Sequence, residues 1–355
     1  MNGHRKTSTR REFLVQTGCA MALAPTLVAN AATPSLRCPP VISGNLWWYH
    51  PDSYSLEQWR TMLLNQKRFG FDLLWLSNVT SALDTEEHIA KLRGLMDLAE
   101  TLGFQVILDT GFTGNWFGHR DLKRELETCG ATIDKIGALF GQHPAFFGWY
   151  IPHEIYMAWG DFAEYIDQLY PVLVKRCKAA ADKPVTVSPF FILDRDETFG
   201  TFRYNEPDEY RDFWEKLLKR SGIDIIMLQD SGEHFSYVTN AMRRPFFKAM
   251  LAACQKSGAT LWGNVECAEF VCESPEKYVE LYGKVHHVTV KNAPWRAVPI
   301  GRIEEKLTLA AEYCERIVTW GYQQYGMPSL GEKAQAWCRD YEAYYKRLGR
   351  SSVRM

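Results

Sequence analysis

The sequence predicts an α/β fold, a single-domain (β/α)8 TIM barrel, on three observations. Short apolar runs alternate with amphipathic stretches through most of the chain. That alternation marks a parallel sheet with right-handed crossovers. The joints are Gly or Pro: Phe69-Gly70-Phe71, Leu102-Gly103-Phe104, His143-Pro144-Ala145, Lys183-Pro184-Val185, Ser221-Gly222-Ile223 and Ser257-Gly258-Ala259. Glycine supplies a left-handed helix C-cap, and proline cannot continue a helix. Eight such units in about 300 residues match the count and length of a (β/α)8 barrel.

In chain order, the strands are expected at 41–49, 71–78, 105–111, 146–151, 185–190, 223–230, 260–266 and 316–321. Ser55-Leu56-Glu57-Gln58 is a capping box that opens the first helix. Helices follow at 85–102, 122–140, 161–181, 207–221, 239–256 and 303–314, and 332–348 closes the series. The alternative is an open doubly wound sheet, which carries a glycine-rich phosphate loop after its first strand. Here the first strand ends Leu46-Trp47-Trp48-Tyr49-His50, with no glycine turn. The longest irregular stretches, 193–206 and 271–301, follow strands and belong on the catalytic face of a barrel.

The 355 residues are 46% hydrophobic and 23% charged, with a net charge of −1. No basic excess exists to neutralise phosphates, which argues against nucleic acid as a partner. Ser8-Thr9-Arg10-Arg11-Glu12-Phe13-Leu14 has the twin-arginine pattern, and Ala29-Asn30-Ala31 is a small-x-small cleavage site. Residues 1–31 are therefore expected to be a signal peptide for a periplasmic or secreted protein, and 32–355 the barrel. The apolar stretch of the leader is too short to span a membrane. Eight cysteines remain after it, in a compartment that permits disulfides, so one or two bridges are possible. Neither they nor the histidines have metal-ligand spacing, and no cofactor is expected. His119, His234 and the His286-His287 pair read as loop or surface residues.

The polar residues fall at strand ends. Phe146-Phe147-Gly148-Trp149-Tyr150-Ile151-Pro152-His153-Glu154 is an apolar run stopped by proline, with a carboxylate just beyond it. Thr260-Leu261-Trp262-Gly263-Asn264-Val265-Glu266 ends in a second glutamate, with Glu269 as its rival three residues on. Strands four and seven face each other across a closed eight-strand barrel. Two carboxyls over a cleft suit glycosidic cleavage: one protonates the leaving oxygen, the other attacks the anomeric carbon or activates water. Glu154, behind apolar residues, is expected to be the acid. Glu266, expected to be exposed at the rim, would stay ionised. Candidate substrate contacts are the aromatics Trp47, Trp48, Tyr49, Trp75, Trp116, Trp149, Tyr156, Trp262 and Trp320. About half are expected to reach a cleft, where their faces could stack on sugar rings. Asn78, Asp109, His153, Asp230 and Asn264 are the polar candidates.

At Phe147-Gly148-Trp149-Tyr150-Ile151-Pro152-His153-Glu154, Asp230-Ser231-Gly232 and Trp262-Gly263-Asn264-Val265-Glu266, the chain resembles a bacterial domain-of-unknown-function family. Its members are secreted TIM-barrel proteins assigned provisionally to the glycoside hydrolases. The wider clan of retaining glycosidases implies acid/base and nucleophile roles for Glu154 and Glu266. That clan carries Asn before the strand-four glutamate, where this chain has His153. The reading is thus a glycosidase acting on a poly- or oligosaccharide. Beside it stand a non-catalytic carbohydrate-binding barrel and a periplasmic redox or metal enzyme.

Overall fold

Residues 35–350, apart from 201, 232, 233 and 286, are described by the structure, a computed structural model. The expected leader, Gly232 and His286 lie outside the described residues. The elements run β1 (Gly44–Trp48), α1 (Leu56–Lys67), β2 (Leu73–Ser77), α2 (Glu86–Thr101), β3 (Gln105–Asp109), α3 (Trp116–His119) and α4 (Leu122–Phe140). Then come β4 (Phe146–Ile151), α5 (Gly160–Ala180), β5 (Val185–Val187), α6 (Pro207–Ser221), β6 (Ile225–Gln229), α7 (Asn240–Ser257) and β7 (Thr260–Glu266). After β8 (Ala268–Phe270), α8 (Pro275–Tyr282) and β9 (Trp295–Ala297), the chain ends with α9 (Ile300–Tyr313), β10 (Arg316–Trp320) and α10 (Glu332–Arg347).

Eight strands close into a barrel in the order β1-β10-β7-β6-β5-β4-β3-β2, and the pairs are parallel. The predicted (β/α)8 barrel is therefore the fold. Local chemistry starts its helices. The Ser55 capping box opens α1 as expected. Thr85 Oγ1 accepts from His88 N (3.1 Å) at α2, and Asp121 Oδ1 from Arg124 N (3.1 Å) at α4. Gly222, at φ 73°, ends α6 in the left-handed region that a side chain would strain.

Period-two alternation divides each strand between two cores. Leu46, Trp75, Ile107, Tyr150, Met227, Trp262 and Val318 fill the barrel interior. Their neighbours Trp47, Leu74, Leu108, Trp149 and Ile226 point outward to the helices. The stretch 271–301 is not wholly irregular. Ser274 Oγ accepts from Lys277 N (3.2 Å) to cap α8, and Pro275 fixes its first turn. Antiparallel β8 and β9 form a separate hairpin. Phe199, Phe235, Phe270 and Tyr278 make a third apolar cluster that ties together the segments after β5, β6 and β7.

The eight cysteines among the described residues are all free, so the one or two disulfides the sequence allowed are not formed there. Seven are buried, each a small apolar filler rather than a cross-link. No helix of the described residues is long and apolar enough to cross a membrane.

Candidate active site

A cavity of about 210 Å³ is lined by Leu46, Trp48, Glu154, Gln229, His234, Asn264, Glu266 and Trp320. These residues come from the carboxyl ends of β1, β6, β7 and β10 and the segments after β4 and β6. Barrel strands are parallel, so their last inward residues converge on one face. The two glutamates predicted from the sequence meet in this space.

Glu154 is held on both oxygens. The Tyr150 hydroxyl donates to Oε1, and Gln229 Nε2 donates to Oε2 at 2.8 Å. Burial pushes its pKa up to about 7, against the pull of those two hydrogen bonds. A carboxyl held there could both give and take a proton near neutrality.

Glu266 corrects one expectation. It is 2% exposed rather than open at the rim, because β7 carries it inward and His234 lies against it. Burial first, then the Asp230 carboxylate, push it well above the usual carboxylate range; Glu154 adds to that push, and Lys306 and Arg243 oppose it. His234 Nδ1 approaches Glu266 Oε2 to 3.4 Å. Beneath the glutamate, Lys306 Nζ donates to its backbone carbonyl at 2.6 Å and pairs with Asp230 Oδ2 at 2.9 Å. Arg243 Nε stands 3.8 Å from the same Asp230 oxygen. Both carboxyls are thus held above their ordinary range, and an ionised Glu154 makes ionising Glu266 harder still.

Of the other candidates, Trp48, Asn264 and Trp320 line the cavity. Asn264 Nδ2 donates to Ser188 Oγ at 3.1 Å. Trp48 is 47% exposed at the mouth. The rest lie elsewhere, each for a packing reason. Trp47 faces outward onto Trp59 (4.9 Å between ring centres), and Tyr49 stacks on the same ring. Trp149 also faces outward and donates its indole N–H to Ala181 O. Trp75 and Trp262 face inward but sit deeper, in the barrel core, where Trp75 meets Tyr150 edge-on. Trp116 packs on His153 (4.8 Å), and Tyr156 on Phe190 and Phe202.

Among the polar candidates, Asp109 is fully buried and braces the start of the segment after β2. It accepts from Ser77 Oγ (3.0 Å), Asn78 N (2.6 Å) and Val79 N (3.2 Å). Asn78 donates to Tyr49 O. Asp230 serves the Lys306 and Arg243 pair beneath the cavity. His153 faces away from the cavity. Its Nε2 lies 2.7 Å from Glu125 Oε1, and both side chains are fully buried. Its side chain is therefore engaged away from the cavity. Glu269, the rival of Glu266, is spent in ion pairs with Arg296 (2.7 Å) and Arg302 (3.1 Å) and does not line the cavity.

Sequence reasoning missed Leu46, Gln229 and His234. Gln229 was legible as a strand end, but its charged neighbour Asp230 drew the assignment. Alternation sends the amide into the cavity and the aspartate under it. His234 and His287 lie between the strands and α-helices, as expected of loop residues, but not at the surface; their rings pack against each other (5.6 Å) and against Trp295.

Fold and site define a (β/α)8 barrel with a two-carboxyl cavity at the carboxyl ends of its strands. Residues 42–331 match the family described as "Domain of unknown function (DUF4434)", and the chain belongs to that family. No curated protein matches it. Among solved structures it is similar to a Bacteroides thetaiotaomicron VPI-5482 protein provisionally named an alpha-L-fucosidase, at 16% identity and a TM-score of 0.66, covering 93% of this chain and 99% of that one. It is also similar to the endo-1,4-beta-D-mannanase of Thermotoga petrophila RKU-1, at 13% identity and a TM-score of 0.56, covering 86% and 99%. A third is GH5_18 from Streptomyces cattleya in complex with GlcNAc, at 14% identity and a TM-score of 0.54, covering 90% and 83%. At these identities the likeness is one of fold.

Proposed function

We propose that this protein is an exported glycoside hydrolase that uses Glu154 as acid/base and Glu266 as nucleophile, with retention of configuration. The observation that carries the reading is the convergence of two glutamates, from the segment after β4 and the end of β7, on one cavity, with Glu154 poised near pH 7. That solved structures of similar fold include named glycoside hydrolases supports it. In the first step the Glu154 proton passes to the glycosidic oxygen, the bond from that oxygen to the anomeric carbon breaks, and Glu266 forms the new bond to that carbon. Burial and Asp230 hold Glu266 on the protonated side, so it must give up its proton before it attacks; Lys306, Arg243 and protonation of Glu154 are the interactions that favour its ionised form. In the second step Glu154 takes a proton from water, which displaces Glu266 from the sugar.

The test is a glycan panel assayed with wild type, Glu154→Gln and Glu266→Gln. Turnover by wild type and a loss of about a thousandfold or more in either variant are expected. Unchanged turnover in one variant removes that residue from the mechanism. The anomer first released, read by proton NMR, decides retention against inversion.

A further inference from the structure

We infer that the cavity takes one neutral pyranose at the end of a glycan chain, so that the protein removes terminal residues rather than cutting within a polymer. This rests on the glycosidase reading and narrows its substrate. The first ground is size. About 210 Å³ is below the roughly 300 Å³ at which pockets for drug-sized ligands begin. A cavity of that size suits one sugar ring better than a run of several.

The second ground is a wall. Trp320 lies against His234 (5.6 Å between ring centres), and His234 against Trp295 (6.0 Å) on β9. His287 closes on both His234 and Trp295 at 5.6 Å. These rings come from the end of β10, the segment after β6 and the excursion that holds β8 and β9. The apolar cluster around Phe235, Phe270 and Tyr278 ties that excursion to the barrel. A polysaccharide threading a cleft needs an exit on both sides, and here the side beyond Trp320 is built up. Trp48, on the neighbouring strand β1, is the exposed ring of the lining.

The third ground is charge. Apart from the two glutamates, the lining offers the amides of Gln229 and Asn264, the apolar faces of Leu46, Trp48 and Trp320, and His234 beside Glu266. Among the described residues no Arg or Lys lines it. The nearby cations Lys306 and Arg243 face Asp230. A uronate carboxylate would meet two carboxyls and no guanidinium, which costs rather than gains.

The experiment follows products from reducing-end-labelled tetrasaccharides of glucose, mannose, galactose, fucose and N-acetylglucosamine, alongside aryl glycosides of the same sugars and of glucuronic and galacturonic acid. Expected is stepwise loss of one sugar, with free monosaccharide present from the first time point. Mid-length products at early times overturn the terminal-residue inference while leaving the glycosidase reading intact. Faster turnover of a uronide than of any neutral glycoside overturns the neutral assignment. Calorimetric titration of the Glu154→Gln variant gives a readout that needs no turnover. A monosaccharide binding within about threefold of its own tetrasaccharide supports the inference. A tetrasaccharide gain of tenfold or more overturns it, and neither binding nor turnover of any sugar overturns both readings.

Discussion

Lys306 and Asp230 form a 2.9 Å ion pair that water scarcely reaches, with side chains 5% and 3% exposed. Lys306 projects from an outer helix between barrel strands, and the same ammonium holds the backbone carbonyl of Glu266. Lys306→Met would keep the volume of the stem and leave Asp230 with only the more distant Arg243. Removing one partner of a buried pair strands the other charge. We expect a loss of about 3 kcal/mol in denaturant-unfolding stability. An unchanged midpoint would show that Asp230 carries no charge there.

The second prediction concerns pH. Glu154 is raised to about 7 by burial, above its unfolded value near 4.3. The folded state therefore binds the proton more tightly than the unfolded one. The stability this gives is whole below about pH 4.3 and is lost as pH rises through about 7. Glu154→Gln should be stabilised relative to wild type progressively over that window. Denaturation midpoints at half-unit pH steps would show it, and parallel curves would mean the carboxyl is not desolvated. For the same reason wild-type kcat/KM should fall above about pH 7, as the acid loses its proton.

Trp47 and Trp48 are adjacent and opposite. Trp47 is fully buried against α1, while Trp48 is 47% exposed at the cavity mouth. Trp47→Ala should cost about 3–5 kcal/mol of stability and leave glycan affinity unchanged in the protein that still folds. Trp48→Ala should leave stability within about 0.5 kcal/mol and weaken glycan binding about 3- to 10-fold, the value of one aromatic face. Thermal denaturation and titration of both variants would separate the two roles.

Asp109 accepts three donors at the start of the segment after β2. Asp109→Ala would leave them unpaired in a buried place, at about 2–3 kcal/mol in total. Glycan affinity should stay within twofold of wild type, since the carboxylate does not face the cavity. A selective loss of affinity without a loss of stability would return Asp109 to the substrate contacts.

His153→Asn would introduce at this position the asparagine expected from the resemblance to retaining glycosidases. It should not create a sugar contact, because the side chain points at Glu125. It should instead destabilise the fold by about 2 kcal/mol, the cost of a broken buried hydrogen bond to a charged group. Improved KM in this variant would contradict the orientation seen here.

The barrel was legible because its signals are local. Gly222 and Gly258 cap helices in the left-handed region whatever lies around them, and the Ser55 capping box forms from four consecutive residues. The strand-end position of Glu154 followed from Pro152, which stops the ladder, and that of Glu266 from the end of an apolar run. Which neighbour of a strand-end pair turns inward is not local. Trp48 rather than Trp47, Gln229 rather than Asp230, and Glu154 rather than His153 reach the cavity. That choice is set by the register of each strand against the next, and one residue of slip exchanges the faces. The ionisation of Glu266 was beyond the sequence for the same reason. Its burial and its neighbours Asp230, Lys306 and Arg243 come from β7, the end of β6, α9 and α7. Only the closed barrel brings them within reach of one another. The chain by itself thus determined the units, their order and the two glutamates; the tertiary structure decided which side chains share the cavity, because facing and burial depend on contacts far apart in sequence.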